Sequence, residues 1–508
     1  MTLRDEHSDF ADPHLRKTAL DKDLRKIAHL EEATRSISYG LLPSGIALLF
    51  LAFAGSLAAA LMGGNTGSIV IVTAAVVGGY MALNIGANDV ANNVGPAVGA
   101  RALTMLGALI IAAIFEAAGA LIAGGDVVQT IAKDIVSPEA IANQQNFVWA
   151  MIAALLASAL WTHLATFLGA PVSTTHAIVG AVMGAGIAAV GFDAVNWPVM
   201  SAIAGSWVVS PLLGGIIAAM FLGFIKSNII YRDDKIAAAR LWVPILIALM
   251  AACFTAYLIM KGLNKVWHPD TTTLVLIALA TFFVSLAILR PLIRRQSEGM
   301  ENRNKSLRKL FHLPLICSAA LLSFAHGAND VANAIGPLAA ILNAVEGGGA
   351  SEMVRVPMWV MLIGGVGISM GLFLYGPRLI RMVGEQITKM NPMRAYCVAL
   401  SAAVTVIIAS ALGLPVSSTH IAVGGVFGVG FFREYYTKHS RRRREYMAKK
   451  NKNNHGKTDF VVDRAKLQRR KLVRRSHFMV IIAAWVVTVP AAALLAACLY
   501  WIIIYWHG

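Results

Sequence analysis

The chain has 508 residues, of which 57% are hydrophobic and only 14% charged, and its mean hydropathy is +0.65. Soluble domains run at about 25% charged residues, so this composition excludes disorder, a collagen-like repeat and a single soluble enzyme, and four isolated cysteines, read as buried small hydrophobes, exclude a disulfide scaffold. The net charge of +17 is local: residues 433–477 hold 17 Lys/Arg against 4 acids, and 290–311 hold 7 against 2. It describes two basic loops rather than a nucleic-acid surface, for which no aromatic or fold signature is present.

In chain order, residues 1–42 form a segment rich in both signs of charge, read as a cytoplasmic helix. Residues 43–225 then carry apolar runs of bilayer-spanning length, about 20 residues each. Within them lie GANDVANNVGP at 86–96, PVSTTH at 171–176 and Trp207-Val208-Val209-Ser210. Residues 226–312 contain two apolar segments, at about 241–261 and 272–289, and the second basic loop. Residues 313–506 then repeat the blocks in the same order: GANDVANAIGP at 327–337, PVSSTH at 415–420 and Trp485-Val486-Val487-Thr488. Three matched blocks in one order mark a duplicated unit. The sequence therefore predicts an all-α polytopic membrane protein of two repeats with broken helices or re-entrant hairpins, about 12 transmembrane segments and a basic insertion at 433–477.

Loop charges predict the relative orientation of the repeats, because Lys and Arg accumulate on the cytoplasmic side. The uncharged loop 63–68 answers the basic 290–312, and the 124–147 loop, net −2, answers 376–395, net +3. The 191–197 link carries only Asp193 and answers the 433–477 insertion. The bias reverses at each position, as inverted-topology repeats require and parallel ones do not. Strict alternation puts 1–42, 226–240, 290–312 and 433–477 in the cytoplasm of a cell (inner or plasma) membrane protein.

Asp89 and Asp330 sit in apolar stretches, where an unpaired carboxylate costs several kcal/mol. Each is flanked by amides, Asn88 and Asn92 in copy 1 and Asn329 and Asn333 in copy 2, and by glycines that let a helix unwind. Such oxygens suit Na⁺ or a proton; the plainer reading is helix-bridging amides around a protonated acid. In the hydroxyl motifs a proline and then Ser173, Thr174 and Thr175, or Ser417, Ser418 and Thr419, precede a glycine-rich apolar helix. That is a helix N-terminus, and inside a membrane its free N–H groups make an anion site as well as a cap. His176 and His420 close these motifs and are candidates for titration near neutrality. Glu116, in IFEAAGA, is a further intramembrane acid and a candidate coupling-ion ligand or relay, with no evident counterpart in copy 2.

With these duplicated blocks, the sequence resembles the inorganic phosphate transporter (PiT) family over about 43–506, excluding the basic insertion. The resemblance implies cation-coupled symport of inorganic phosphate, with no cofactor. It implies that Asn88, Asp89, Asn329 and Asp330 serve cation coupling, with Asp89 and Asp330 as Na⁺ ligands. It further implies that Ser173, Thr174, Thr175, Ser417, Ser418 and Thr419, with Asn92 and Asn333, hold phosphate. Some family members carry a glutamate where this chain has Ala399, which leaves the number and identity of the ions open between Na⁺ and H⁺. Anionic lipid at the basic loops, a cytoplasmic regulator and a homo-oligomer complete the expected partners. A sulfate permease, an anion channel and a membrane-embedded phosphatase using His176 or His420 are the competing readings.

Overall fold

In the computed structural model, placement is described for residues 41–62, 68–141, 143–169, 172–262, 267–346, 354–382, 390–452 and 475–507. The 1–42 segment (apart from its last two residues), the loop at 63–67, Pro171 and residues 453–474 of the basic insertion lie outside them. By internal contacts the chain divides into Met1–Phe50 and Leu51–Gly508, and the helices that build the site belong to the second unit.

The described residues are helical, without a strand. Helix α1 is Leu41–Met62. Copy 1 continues with α2 (Ser68–Asn88), α3 (Val90–Gly99), α4 (Met105–Ala123), the short α5 (Gly125–Gln129), α6 (Gln144–Leu168), α7 (Thr174–Val190) and α8 (Trp197–Ile225). The connector holds α9 (Lys235–Lys261), α10 (Thr271–Gln296) and α11 (Asn304–Leu310). Copy 2 holds α12 (His312–Val345), α13 (Met358–Met382), α14 (Pro392–Ala411), α15 (Ser418–His439), α16 (Arg441–Lys452) and α17 (Arg475–His507). Among the described residues, 11 helices are long and apolar enough to cross a membrane. Outward apolar side chains such as Phe283, Ile288, Leu212 and Trp506 are what a lipid-facing surface requires. This is an integral, multi-pass membrane protein.

Side-chain caps start these helices where polar residues interrupt the apolar runs. Thr104, Asn143, Ser173, Asn196, Asp234, Asp270, Asn391 and Ser417 each accept a hydrogen bond from a first-turn backbone N–H. Gly169 and Gly413 end the turns after α6 and α14 with φ of 68° and 69°, a left-handed conformation that glycine adopts without strain. The chain then doubles back into α7 and α15. These hairpins are the helix breaks. The GAND motifs break far less than expected: α12 runs through its motif without interruption, and copy 1 shows only a one-residue discontinuity at Asp89, which keeps right-handed helical dihedrals. The motif glycines are used for close packing instead of unwinding.

That packing relates the two copies. A Cβ at Gly86 would strike the carbonyl of Ile368, and one at Gly327 would strike the carbonyl of Glu116. Likewise Gly371 lies against Leu83, and Gly119 against Phe324. The α2–α13 crossing therefore recurs as α12–α4 with the copies exchanged. The same holds for α8–α15 and α17–α7, where Gly424 and Gly428 abut Pro211 and Gly215 while Gly180 and Gly184 abut Val489 and Ala493. Glu116 thereby acquires a positional counterpart, Ile368, that the sequence did not reveal.

All four cysteines are free. Cys397 is buried in α14, but Cys253 and Cys498 are exposed on outer helix faces, so the expectation that all are buried packing residues holds only in part.

Candidate functional site

The two hairpin tips meet the motif helices near their middles. Asn88 Nδ2 donates to Thr166 Oγ1 at 2.9 Å in α6, and Asn329 Nδ2 donates to Ser410 Oγ at 2.9 Å in α14. Asn329 Oδ1 also accepts from the Val416 amide at 3.2 Å. These amides fasten each tip to its own motif. Across the copies, Asn92 Nδ2 donates to Thr419 Oγ1 at 2.8 Å and Asn333 Nδ2 to Thr175 Oγ1 at 3.1 Å, so each motif reads the hydroxyl of the other repeat.

Between the tips lie the acids. Thr174 Oγ1 is 2.7 Å from Asp89 Oδ2 and 3.3 Å from Asp330 Oδ2, so one hydroxyl bridges both carboxylates. Thr419 Oγ1 donates to Asp89 Oδ1 at 3.2 Å. Asp89 and Asp330 are 2% and 1% exposed. Ser173 and Ser417 accept from the backbone N–H of His176 and His420; both hydroxyls therefore cap their helices, and Ser418 Oγ, by contrast, is buried without a hydrogen-bond partner. Thr175 Oγ1 reaches the Val416 carbonyl at 3.1 Å. The imidazoles of His176 and His420 lie tilted against each other with centroids 4.6 Å apart, and His176 meets Trp207 edge-on with centroids 3.9 Å apart.

Glu116 joins this cluster in an unforeseen way. It is fully buried, accepts from Asn93 Nδ2 at 2.7 Å, and lies 2.8 Å from His326 Nδ1. His326 Nε2 is in turn 3.3 Å from Asp330 Oδ2. Asn93 and His326 did not figure among the expected site residues. Their signal was a mismatch between the copies, Asn93 against Ala334 and His326 against Ile85. Three carboxylates and one imidazole thus share one buried region. Among the described residues the buried lysines are Lys226 and Lys235, and each sits over aromatic rings elsewhere, on Tyr436 and Tyr446. Neither lysine neutralises the acids.

A sequence model of the phosphate transporter family matches residues 85–496. A Helicobacter pylori protein named "Putative phosphate permease" is 44% identical over 94% of this chain and 98% of its own length. A similarly named Thermococcus kodakarensis protein is 35% identical over 84% of this chain and 95% of its own. A solved structure named "The sodium-dependent phosphate transporter" superposes with a TM-score of 0.75 at 33% identity, covering 86% of this chain and 99% of that one.

Proposed function

Because the chain belongs to the phosphate transporter family, we propose that it is a secondary active symporter that draws inorganic phosphate inward with coupling cations, sodium first among them. Membership in a family of transporters and permeases also removes the phosphatase reading. The observation that carries the coupling is the surplus of buried negative charge. Asp89, Asp330 and Glu116 face a single imidazole, and buried carboxylates without a fixed cation call for a mobile one. Oxygen ligands from Asp89, Asp330 and the surrounding hydroxyls suit Na⁺, and the structural relative is itself named as sodium-dependent. A proton is the second reading, favoured by the contact of Glu116 with His326.

Charge also explains why coupling is needed. Phosphate carries about −1.5 to −2 near neutrality, by analogy with phosphate esters, and moving a dianion against 100 mV costs about 4.6 kcal/mol. Two monovalent cations cancel that cost, and the site has one Asp per repeat to receive them. In the proposed mechanism phosphate sits between the N-termini of α7 and α15, held by the hydroxyls of Thr174, Thr175, Ser418 and Thr419 with Asn92 and Asn333. The two repeats, inverted in the membrane with 1–42 and 433–477 in the cytoplasm, rock about that point.

The test is uptake of ³²P-phosphate into proteoliposomes under an inward Na⁺ gradient or an inward H⁺ gradient, with sulfate as competitor. Accumulation under Na⁺ alone, resistant to sulfate, is expected. Accumulation under H⁺ alone would transfer the coupling to protons, and downhill flux without accumulation would make the protein a channel.

A further inference from the structure

A second concentration of charge lies away from the buried acids, at the far ends of the helices that form the hairpin of copy 2. Lys226 follows directly on α8 and is only 7% exposed. Its Nζ stands over the rings of Phe432 and Tyr436 in α15, 5.3 and 4.5 Å from their centroids. Among the described residues no carboxylate pairs with it, and none accepts a hydrogen bond from its ammonium. Arg394 of α14, Arg433 of α15 and Arg443 of α16 instead lie close enough to repel it, and Arg433 and Arg308 repel Arg394 in turn. Along α15, Ser418 and Arg433 stand about 22 Å apart at a rise of about 1.5 Å per residue, so this cluster is separate from the candidate transport site.

Neither packing nor topology accounts for the convergence. The exchange relation between the repeats maps Lys226, Arg394 and Arg433 onto Ile504, Ala150 and Ala189, so the corresponding crossings of α17 with α6 and α7 are built with no charge at those positions. A bias of cations toward one side of the membrane is met by exposed residues such as Arg441, Arg442 and Arg444; it does not call for a buried ammonium. The rings beside Lys226 offset part of the cost of burying it, but its three donors still need acceptors. The neighbours compound that cost. Arg394 sits in the first turn of α14, a helix end that is already positive, and its Nε is fixed by the capping Asn391 Oδ1 at 3.2 Å. Arg443 Nη1 donates to the Thr437 carbonyl at 2.9 Å. Two guanidinium groups are thus held in place beside a buried cation, and what that arrangement lacks is an anion.

We propose that Lys226, Arg394, Arg433 and Arg443 form a binding site for a phosphate group, carried either by the head group of an anionic lipid or by a soluble polyphosphate. Guanidinium forks take phosphate oxygens in pairs, and an ammonium adds a compact point charge. A dianion at this place turns mutual repulsion into attraction. It also ties α8, α14, α15 and α16 together at the base of the hairpin whose tip holds Ser417, Ser418 and Thr419. The expectation of anionic lipid along the basic loops thereby narrows to one defined place. The side of the membrane on which the site opens rests on the topology proposed above; the site itself does not.

The test uses the full chain, purified in detergent. Its thermal midpoint is followed while dioctanoyl phosphatidic acid or pyrophosphate is added, against dioctanoyl phosphatidylcholine and NaCl of matched ionic strength. A saturable rise is expected with at least one phosphate probe. With phosphatidic acid alone the source is a lipid head group, with pyrophosphate alone a soluble anion, and with both the site reads the phosphate group itself. Lys226→Met keeps the stem over the rings and removes the charge. It should leave the ligand-free midpoint unchanged or higher and weaken the apparent affinity by about 10-fold or more. Arg394→Gln should weaken binding as well, and it reports even if Lys226→Met does not fold. Arg303→Gln, at an exposed cation paired with Glu301, should bind as the wild type does. The site is overturned if neither probe raises the midpoint, or if the rise is unchanged in both site variants. Equal weakening by Arg303→Gln would also overturn it, by reducing the effect to general charge. Phosphate uptake plays no part in this readout, so failure of the symport reading would leave the site standing.

Discussion

Thr174 and Ser418 occupy the same position in the two hydroxyl motifs, yet the structure gives them opposite roles. The Thr174 hydroxyl reaches Asp89 at 2.7 Å and Asp330 at 3.3 Å and receives Asn333 Nδ2 at 3.3 Å. Ser418 Oγ is buried with no hydrogen-bond partner. Thr174→Val keeps the shape and removes the hydroxyl. A hydrogen bond to a charged group contributes about 1.5–3 kcal/mol, and the abandoned carboxylate oxygen adds a desolvation cost of similar size. Counting only the 2.7 Å contact as a full bond, Thr174→Val should lose at least about 1.5–3 kcal/mol of stability. Ser418→Ala removes an unsatisfied hydroxyl and should leave substrate-free stability unchanged or slightly higher. If phosphate uses that hydroxyl, its KM for phosphate should nevertheless rise. Reversible unfolding of both variants in detergent, followed by uptake kinetics, separates the two. Equal destabilisation of the pair, or full stability in Thr174→Val, would refute the asymmetry.

The remaining expectations concern coupling, packing and a cap. Asp89→Asn and Asp330→Asn should each abolish Na⁺-driven accumulation of phosphate while the protein still inserts and purifies as a monodisperse species; full uptake by both would remove the carboxylates from the mechanism. Gly86→Ala and Gly327→Ala force apart helices whose backbones touch, and should lower the thermal midpoint in detergent far more than Gly205→Ala, where a Cβ meets nothing within 4 Å. Asp270 caps α10 through the Thr272 and Thr273 amides and takes the Thr273 hydroxyl at 2.5 Å; these bonds hold its carboxyl below the usual range. A depressed folded-state pKa gives a contribution that is present above the unfolded value, about 3.9, and lost as pH falls through the folded one. Amide exchange at 271–274, compared across acidic pH, should therefore rise as the cap is protonated, and Asp270→Ala should exchange quickly at every pH.

Much of the frame was legible in the sequence because its causes are local or repetitive. Apolar run lengths follow from bilayer thickness, and the duplicated GAND and PVS blocks identify the motif helices and hairpin tips without any knowledge of contacts. Ser173 and Ser417 could be read as caps from the residues around them. Two expectations failed for a shared reason. Glycine was read as freedom to unwind, but Gly86 and Gly327 are needed where one helix backbone presses on another, and α12 stays continuous. The exposure of Cys253 and Cys498 is of the same kind, since an all-apolar helix does not announce which face lipid will cover.

The polar cluster was illegible for the opposite reason: it is made of differences between the copies. Matching repeats draws the eye to identities, and His326 against Ile85 or Asn93 against Ala334 looks like drift until Glu116 is found beside both. Exchange symmetry is what gives those differences meaning. Where two copies share a crossing, whatever that crossing needs must appear twice, as the glycines and the Asn–hydroxyl ties do. A buried acid and imidazole that appear once satisfy no such shared need, and burial of charge is too costly to persist as neutral variation. Their cost must be offset by something one half of the site does and the other does not, and the side chains aimed at Asp330 are the place to look for it.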